Sequence, residues 1–270
     1  MSTTPTRPDV ATARSEEVTL GRVVRSEWTK LRSLRSPVWL LVLTGLGIVL
    51  LGTMMAIGTV VAGVRADAEE VGALGGALTG ISPVELVVGA LGALAVTTEY
   101  ASGTIRSTLA AVPRRVPVLV AKAVVVAASV FAVVLVSVLV AFTAVRGMLG
   151  GQGISLPYTD PGVLRALVGA ALYLTVVGLL GVGFGWLVRS ALGALAALVG
   201  LVYVLPFVGL LLPDGMAGVV VPLLPGNAGA AVMQLGPAPL LPPWTGIAVF
   251  AGYALLVLAA AALALRRRDA

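Results

Sequence analysis

The 270-residue chain contains no cysteine and no histidine. Without cysteine there is no disulfide, no thiolate nucleophile and no Cys-held metal. Without histidine there is no His-based triad, no imidazole metal ligand and no side chain that ordinarily titrates near neutral pH. Charge is scarce as well. Only 11% of residues are Asp, Glu, Lys or Arg, against roughly 25% in an average soluble domain. No G-x-x-x-x-G-K-[ST] phosphate loop occurs, so nothing in the sequence points to ATP hydrolysis by this chain itself. What fills the sequence is apolar: 59% hydrophobic residues and a mean hydropathy of +1.05. A soluble fold of this length could not hide that much apolar surface, which makes the bilayer the solvent.

A bilayer core about 30 Å thick takes about 20 apolar residues per helix. Six stretches meet that length, at about 38–63, 79–98, 119–145, 164–188, 191–212 and 244–265. The runs are continuous and not alternating, and backbone groups in lipid must be satisfied within the segment, so the spans are helices. Arg189 and Ser190 alone separate the fourth and fifth, which predicts a tight hairpin. Residues 1–17 are polar and predict a disordered tail; the rest, 18–270, forms one membrane domain. The first 37 residues lack the short basic start, apolar core and small-residue cleavage site of a signal peptide.

Basic residues orient the spans. With an even number of crossings both ends share one side. That side holds all the Lys and Arg except Arg65, Arg146 and Arg165. The imbalance puts both termini in the cytoplasm and makes the net charge of +6 a topology signal before a nucleic-acid one. Within a span, Gly181 and Gly185 form a small-x-x-x-small face suited to close helix packing.

Residues 18–36, VTLGRVVRSEWTKLRSLRS, read as a basic amphipathic helix with Leu20, Val24, Trp28, Leu31 and Leu34 on one stripe. Such a helix lies in the membrane interface with Trp28 near the lipid headgroups, and Pro37 turns the chain into the first span. Glu27 sits at the edge of the apolar stripe. It pairs locally with Lys30 or Arg22, or reaches the loop after the second span, where Arg106 is the preferred partner. That loop reads EYASGTIRSTLAAVPRRVPV from Glu99. Gly103 permits a sharp change of direction. A short helix follows from Thr104, with Ile105, Leu109 and Val112 on one face and Pro113 ending it. Its apolar face offers a grip to a peripheral partner, or serves only as an interfacial re-entry between spans.

The runs RSEWTKLRSLRSPVW and TTEYASGTIRSTLAAVPRRVPVLVAKAVV flank the first two spans. They resemble the permease subunit of type-2 ATP-binding cassette exporters, of the actinobacterial single-domain kind. The Glu99 to Arg106 run, with Lys122 opening the third span, is the most specific part. The resemblance implies six helices preceded by an interfacial connecting helix, with re-entrant outer helices before the last span. Residues 213–243, rich in proline around short apolar stretches, suit those outer helices. It further implies that Glu99, Gly103, Thr104, Ile105, Arg106 and Leu109 couple to a separate ATPase subunit, and that Glu27, Trp28, Lys30 and Leu31 belong to the connecting helix. ATP and Mg would be handled by that partner and no cofactor by this chain. A second permease copy or a related permease would complete the path, with membrane lipid around it and no nucleic acid.

Glu85 is the acid placed inside a span, near its outer end. It is a vestibule residue in water, a contact to a cationic substrate, or a structural pair with Arg65 or Arg165. Lys122 is expected to snorkel at the cytoplasmic end of its helix rather than to serve Ser129 or Ser137 in catalysis. Glu69 and Glu70 lack the histidines of a membrane metalloprotease. The alternative to transport is a membrane sensor or assembly subunit that binds a partner and moves nothing.

Overall fold

The computed structural model describes residues 19–61, 75, 78–111, 115–151, 157–209, 211–234 and 241–267. Helix α1 spans Leu20–Ser33 and α2 spans Arg35–Val61. They are followed by α3 (Ile81–Ala101), the short α4 (Ile105–Ala111), α5 (Val116–Gly150) and α6 (Val163–Val188). Next come α7 (Ala191–Val199), a π-helical turn (Gly200–Val204) and α8 (Leu205–Gly209). Then α9 (Asp214–Leu223), α10 (Pro225–Ala230) and a 3₁₀ turn (Ala231–Met233) lead to α11 (Pro243–Arg267). No strand occurs among the described residues.

Six helical segments are long and apolar enough to cross a membrane: α2, α3, α5, α6, the α7–α8 run and α11. The expected spans agree in number and place. The largest difference is α5, whose 35 residues exceed the 27 expected at both ends. Pro117 lies in its first turn, where a missing N–H costs no helical hydrogen bond. The chain turns between α1 and α2 at the extended Leu34, and Pro37 sits inside α2's first turn instead of at the bend. The tail expected at 1–17 lies outside the described residues.

Helix α6 forms the centre, with most of its surface covered by other helices. Its closest neighbour is α3, and small residues set the spacing. A Cβ on Gly92 would stand 2.1 Å from the carbonyl oxygen of Gly178, and one on Gly181 would stand 2.3 Å from that of Gly89. Without a driving force from water between helices in lipid, such close backbone approach supplies the packing energy. The Gly181–Gly185 face expected from the sequence is thus part of this seam. By contrast α2 and α11 expose rows of large apolar side chains, such as Leu43, Leu46 and Leu50 on α2 and Leu255 and Leu256 on α11. These face lipid or protein, not a core of this chain.

Helices α9 and α10 meet at a bend of 64°. Neither half is long enough to cross alone, as a dipping and returning segment requires. Residues 235–240, with Pro237 and Pro239, lie outside the described residues.

Candidate functional site at the α1, α3 and α5 junction

Helix α1 buries Val23, Glu27 and Leu31, one residue per turn. Leu20, Trp28 and Leu34, three members of the expected apolar stripe, are exposed. The helix is therefore rotated so that its carboxylate faces the protein and its tryptophan faces outward. An outward Trp28 suits an interfacial helix, since its amphipathic ring favours the headgroup level.

Glu27 enters a closed ring of four charges. Lys122 Nζ donates to Glu27 Oε2 at 2.5 Å and to Glu99 Oε1 at 2.9 Å. Lys30 Nζ donates to Glu27 Oε1 at 2.7 Å and to Glu99 Oε1 at 3.0 Å. Helix α1 supplies two members, α3 and α5 one each. The side chains of Glu27 and Lys122 are 4% and 5% exposed, so neither charge could stand there alone. Two acids and two bases make the ring neutral, which is what allows its burial. Burial opposes the Lys30 charge, but the hydrogen bond to Glu27 and the charges of Glu27 and Glu99 outweigh it. They hold the ammonium above its ordinary value of 10.5. The chain has 18 basic residues, and its only two lysines are both here. An ammonium is a compact point charge with three rotatable donors, and each of the two here reaches both carboxylates.

The ring touches the short helix. Lys30 Nζ lies 3.4 Å from Thr108 Oγ1 on α4. Gly103 turns the chain into that helix with φ +72°, a conformation that costs other residues about 1–2 kcal/mol. Ser102 Oγ and Thr104 Oγ1 lie 2.9 Å apart across the turn.

Three expectations are corrected here. Glu27 pairs with Lys30, one of the local options, and with Lys122, not with Arg106, which is exposed. Lys122 does not snorkel: the buried Glu27 and the partly buried Glu99 hold it inside. The apolar face of α4 is not on offer to a partner, because Ile105 and Leu109 are 4% and 7% exposed and belong to the chain's own core. What α4 presents outward is Arg106, Ser107 and Ala110. Val112, Pro113 and Arg114 lie outside the described residues. The sequence marked Lys122 as opening the third span but not as the partner of Glu27 and Glu99, and it did not mark Thr108. The signal for Lys122 was compositional, two lysines among sixteen arginines.

Glu85 stands in a second polar cluster. The Tyr173 hydroxyl on α6 donates to its Oε1 at 2.5 Å. The Tyr203 hydroxyl lies 2.9 Å from its Oε2 and 2.9 Å from the Ser82 carbonyl oxygen. Glu85 is 3% exposed, so it is no vestibule residue in water. Arg165 is committed elsewhere, donating to the Gln234 carbonyl at 2.8 Å; Arg65, like Glu69 and Glu70, lies outside the described residues. Tyr203 belongs to the π-helical turn, in which the Leu205 N–H bonds five residues back to Gly200. Pro206 follows and has no N–H to continue an α-helical ladder, which accounts for the changed register.

Beside α4 a third feature opens, a cavity of about 530 Å³ walled by Tyr100, Ser102, Ile105, Arg106 and Arg189. Arg189 caps α6 in the left-handed region, φ 59°, the only non-glycine residue with positive φ among those described. Its guanidinium lies 5.1 Å over the Tyr100 ring, which in turn packs edge-on against Trp186 at 5.8 Å. No group of three or more acidic residues among the described residues is arranged to hold a metal ion.

Residues 23–207 match the family model described as ABC-2 family transporter protein. The matched region is more than two thirds of the chain and contains the four-charge ring, Glu85 and Arg189. No curated protein matches the chain.

Proposed function

The chain belongs to the ABC-2 transporter family and is a multi-pass membrane permease of an ABC transporter; from that premise we propose that it is the permease subunit of an ATP-driven exporter, worked by a separate ATPase through α4 and α1. In this reading both termini lie in the cytoplasm, as the distribution of Lys and Arg favours. A second copy or a related permease completes the path. ATP and Mg are bound by the ATPase. Glu99, Gly103, Thr104, Ile105, Arg106 and Leu109 form the coupling element, and Glu27, Trp28, Lys30 and Leu31 the connecting helix.

The observation that carries the reading is the four-charge ring. It ties α1, the second span and the third span to one another at the place where α4 leaves the bundle. A push on α4 or α1 therefore reaches two spans at once, through bonds whose separation in low dielectric would be costly. Tilting of those spans would alternate the access of a central path.

The test compares Arg106→Ala with Glu99→Gln. Both are expected to insert in the membrane. Arg106→Ala removes an outward side chain and is expected to weaken recovery of the ATPase. Glu99→Gln alters the ring and is expected to lower substrate-stimulated ATP turnover. Wild-type recovery and turnover in both variants would refute the coupling assignment.

A further inference from the structure

The cavity beside α4 has a one-sided chemistry. Its charged members are Arg106 and Arg189, and no acid lines it. Among the described residues the exposed Arg106 side chain makes no hydrogen bond or ion pair. Arg189 is fixed with unusual care. Its backbone adopts a left-handed conformation that costs a non-glycine residue about 1–2 kcal/mol. Glycine is the residue that ordinarily fills such a helix cap. The guanidinium is stacked on Tyr100, itself held by the buried Trp186, while its Nε finds no hydrogen-bond partner in the protein. An arginine held in a left-handed cap, stacked on one aromatic ring and lining the same hollow as a second arginine, is suited to receive an anion.

We infer that this hollow receives a carboxylate side chain, an Asp or Glu carried on a protruding segment of the partner ATPase, held between Arg106 and Arg189. The inference rests on the reading of α4 as the docking element. Three features favour a protein carboxylate. The cavity is bounded by α4 and by the α6–α7 hairpin, so an occupant bridges the two turns that leave the bundle on this side. Its lining includes Arg106, on the outward face of α4. Tyr100, Ile105 and the Ser102 hydroxyl add apolar contact and a neutral hydrogen-bonding group, which suits a folded acidic side chain with its stem. Contact at Arg189 would give the hinge between the fourth and fifth spans its own connection to the ATPase, separate from the four-charge ring.

The test uses the whole complex isolated from membranes, with the ATPase identified by its phosphate-loop peptide. Arg106→Lys and Arg189→Lys keep the charge and add a primary amine; a carbodiimide then joins that amine to any carboxylate in contact. The native lysines are confined to the ring, so the background is low. The expected result is an amide link from position 106 or 189 to an Asp or Glu of the ATPase. The double variant Arg106→Glu, Arg189→Glu is expected to reduce ATPase recovery at least tenfold at about 0.1 M salt, whereas the double lysine variant retains it. Reversal of that ATPase acid to Arg should restore recovery with the double Glu variant. If the ATPase copurifies with the wild type but no link forms and charge reversal changes nothing, the inference is overturned and the docking reading stands. If charge reversal instead lowers binding to phosphatidylglycerol vesicles and leaves ATPase recovery intact, the occupant is a lipid headgroup and the inference is likewise overturned. If no phosphate-loop ATPase accompanies the wild type, the docking reading itself falls.

Discussion

Lys122 on the third span and Glu27 on the interfacial helix, 95 positions apart in sequence, lie 2.5 Å from each other with their side chains almost wholly buried. Removal of one partner leaves a buried charge without its counter-charge, which costs about 3–5 kcal/mol. Lys122→Met should therefore sharply lower the yield of folded protein and its melting temperature in detergent. Glu27→Leu combined with Lys122→Met should be milder than Lys122→Met alone, because Lys30 and Glu99 remain as a neutral pair. A double variant at least as unstable as the single one would show that the ring is not held by charge balance.

Lys30 makes the interfacial helix sensitive to alkali. Its partners raise its pKa in the folded protein above 10.5. The contribution is thus fully present below the unfolded value of about 10.5 and is lost as pH rises through the folded value. Melting temperatures measured from pH 7 upward should show a decline beginning above pH 10, and Lys30→Met should remove the Lys30 share of that decline. An identical alkaline profile in the variant would contradict the pairing.

Glu85 accepts from two tyrosine hydroxyls, of which Tyr173 is buried and Tyr203 partly exposed. Glu85→Ala strands the buried Tyr173 hydroxyl at a cost of about 1–3 kcal/mol. Tyr203→Phe should cost less, since its hydroxyl is nearer the surface. Thermal unfolding ranks the two. A place for Glu85 in the substrate path is a separate matter, settled by Glu85→Gln: unchanged transport of every substrate would remove it.

The seam between α3 and α6 leaves no space for a methyl group. Gly92→Ala would drive a carbon against the Gly178 carbonyl and should destabilise by about 1–3 kcal/mol. Gly252→Ala in α11 meets nothing within 4 Å and should be neutral or stabilising by up to about 1 kcal/mol. Equal melting temperatures for the two variants would mean that the backbones can move apart at no cost.

Hydropathy made the spans legible because a lipid-facing helix must be apolar along its whole length, whatever it packs against. It could not reveal the rotation of a helix about its own axis. Leu20, Trp28 and Leu34 formed a convincing stripe on α1, yet it is the face centred on Glu27 that meets the protein. An interfacial helix has two apolar environments, lipid and core, and a pattern of apolar residues does not distinguish them. The same ambiguity hid the partner of Glu27. A partner 95 positions away is invisible to helical spacing, and a lysine near a membrane boundary ordinarily points toward water. Tyr173, Tyr203 and Arg189 were missed because each acts through tertiary position. The π-helical register that aims Tyr203 is marked in sequence only by Pro206.

Helix α5 runs 35 residues without a break, about 52 Å at 1.5 Å per residue, well beyond the 30 Å or so of hydrocarbon. Lys122 is anchored in its second turn. An unbroken helix pinned near one end behaves as a lever. Rotation by about 5° at the pin would sweep the opposite tip through about 4 Å, so a modest nudge at the charged ring would arrive on the far side of the bilayer already magnified.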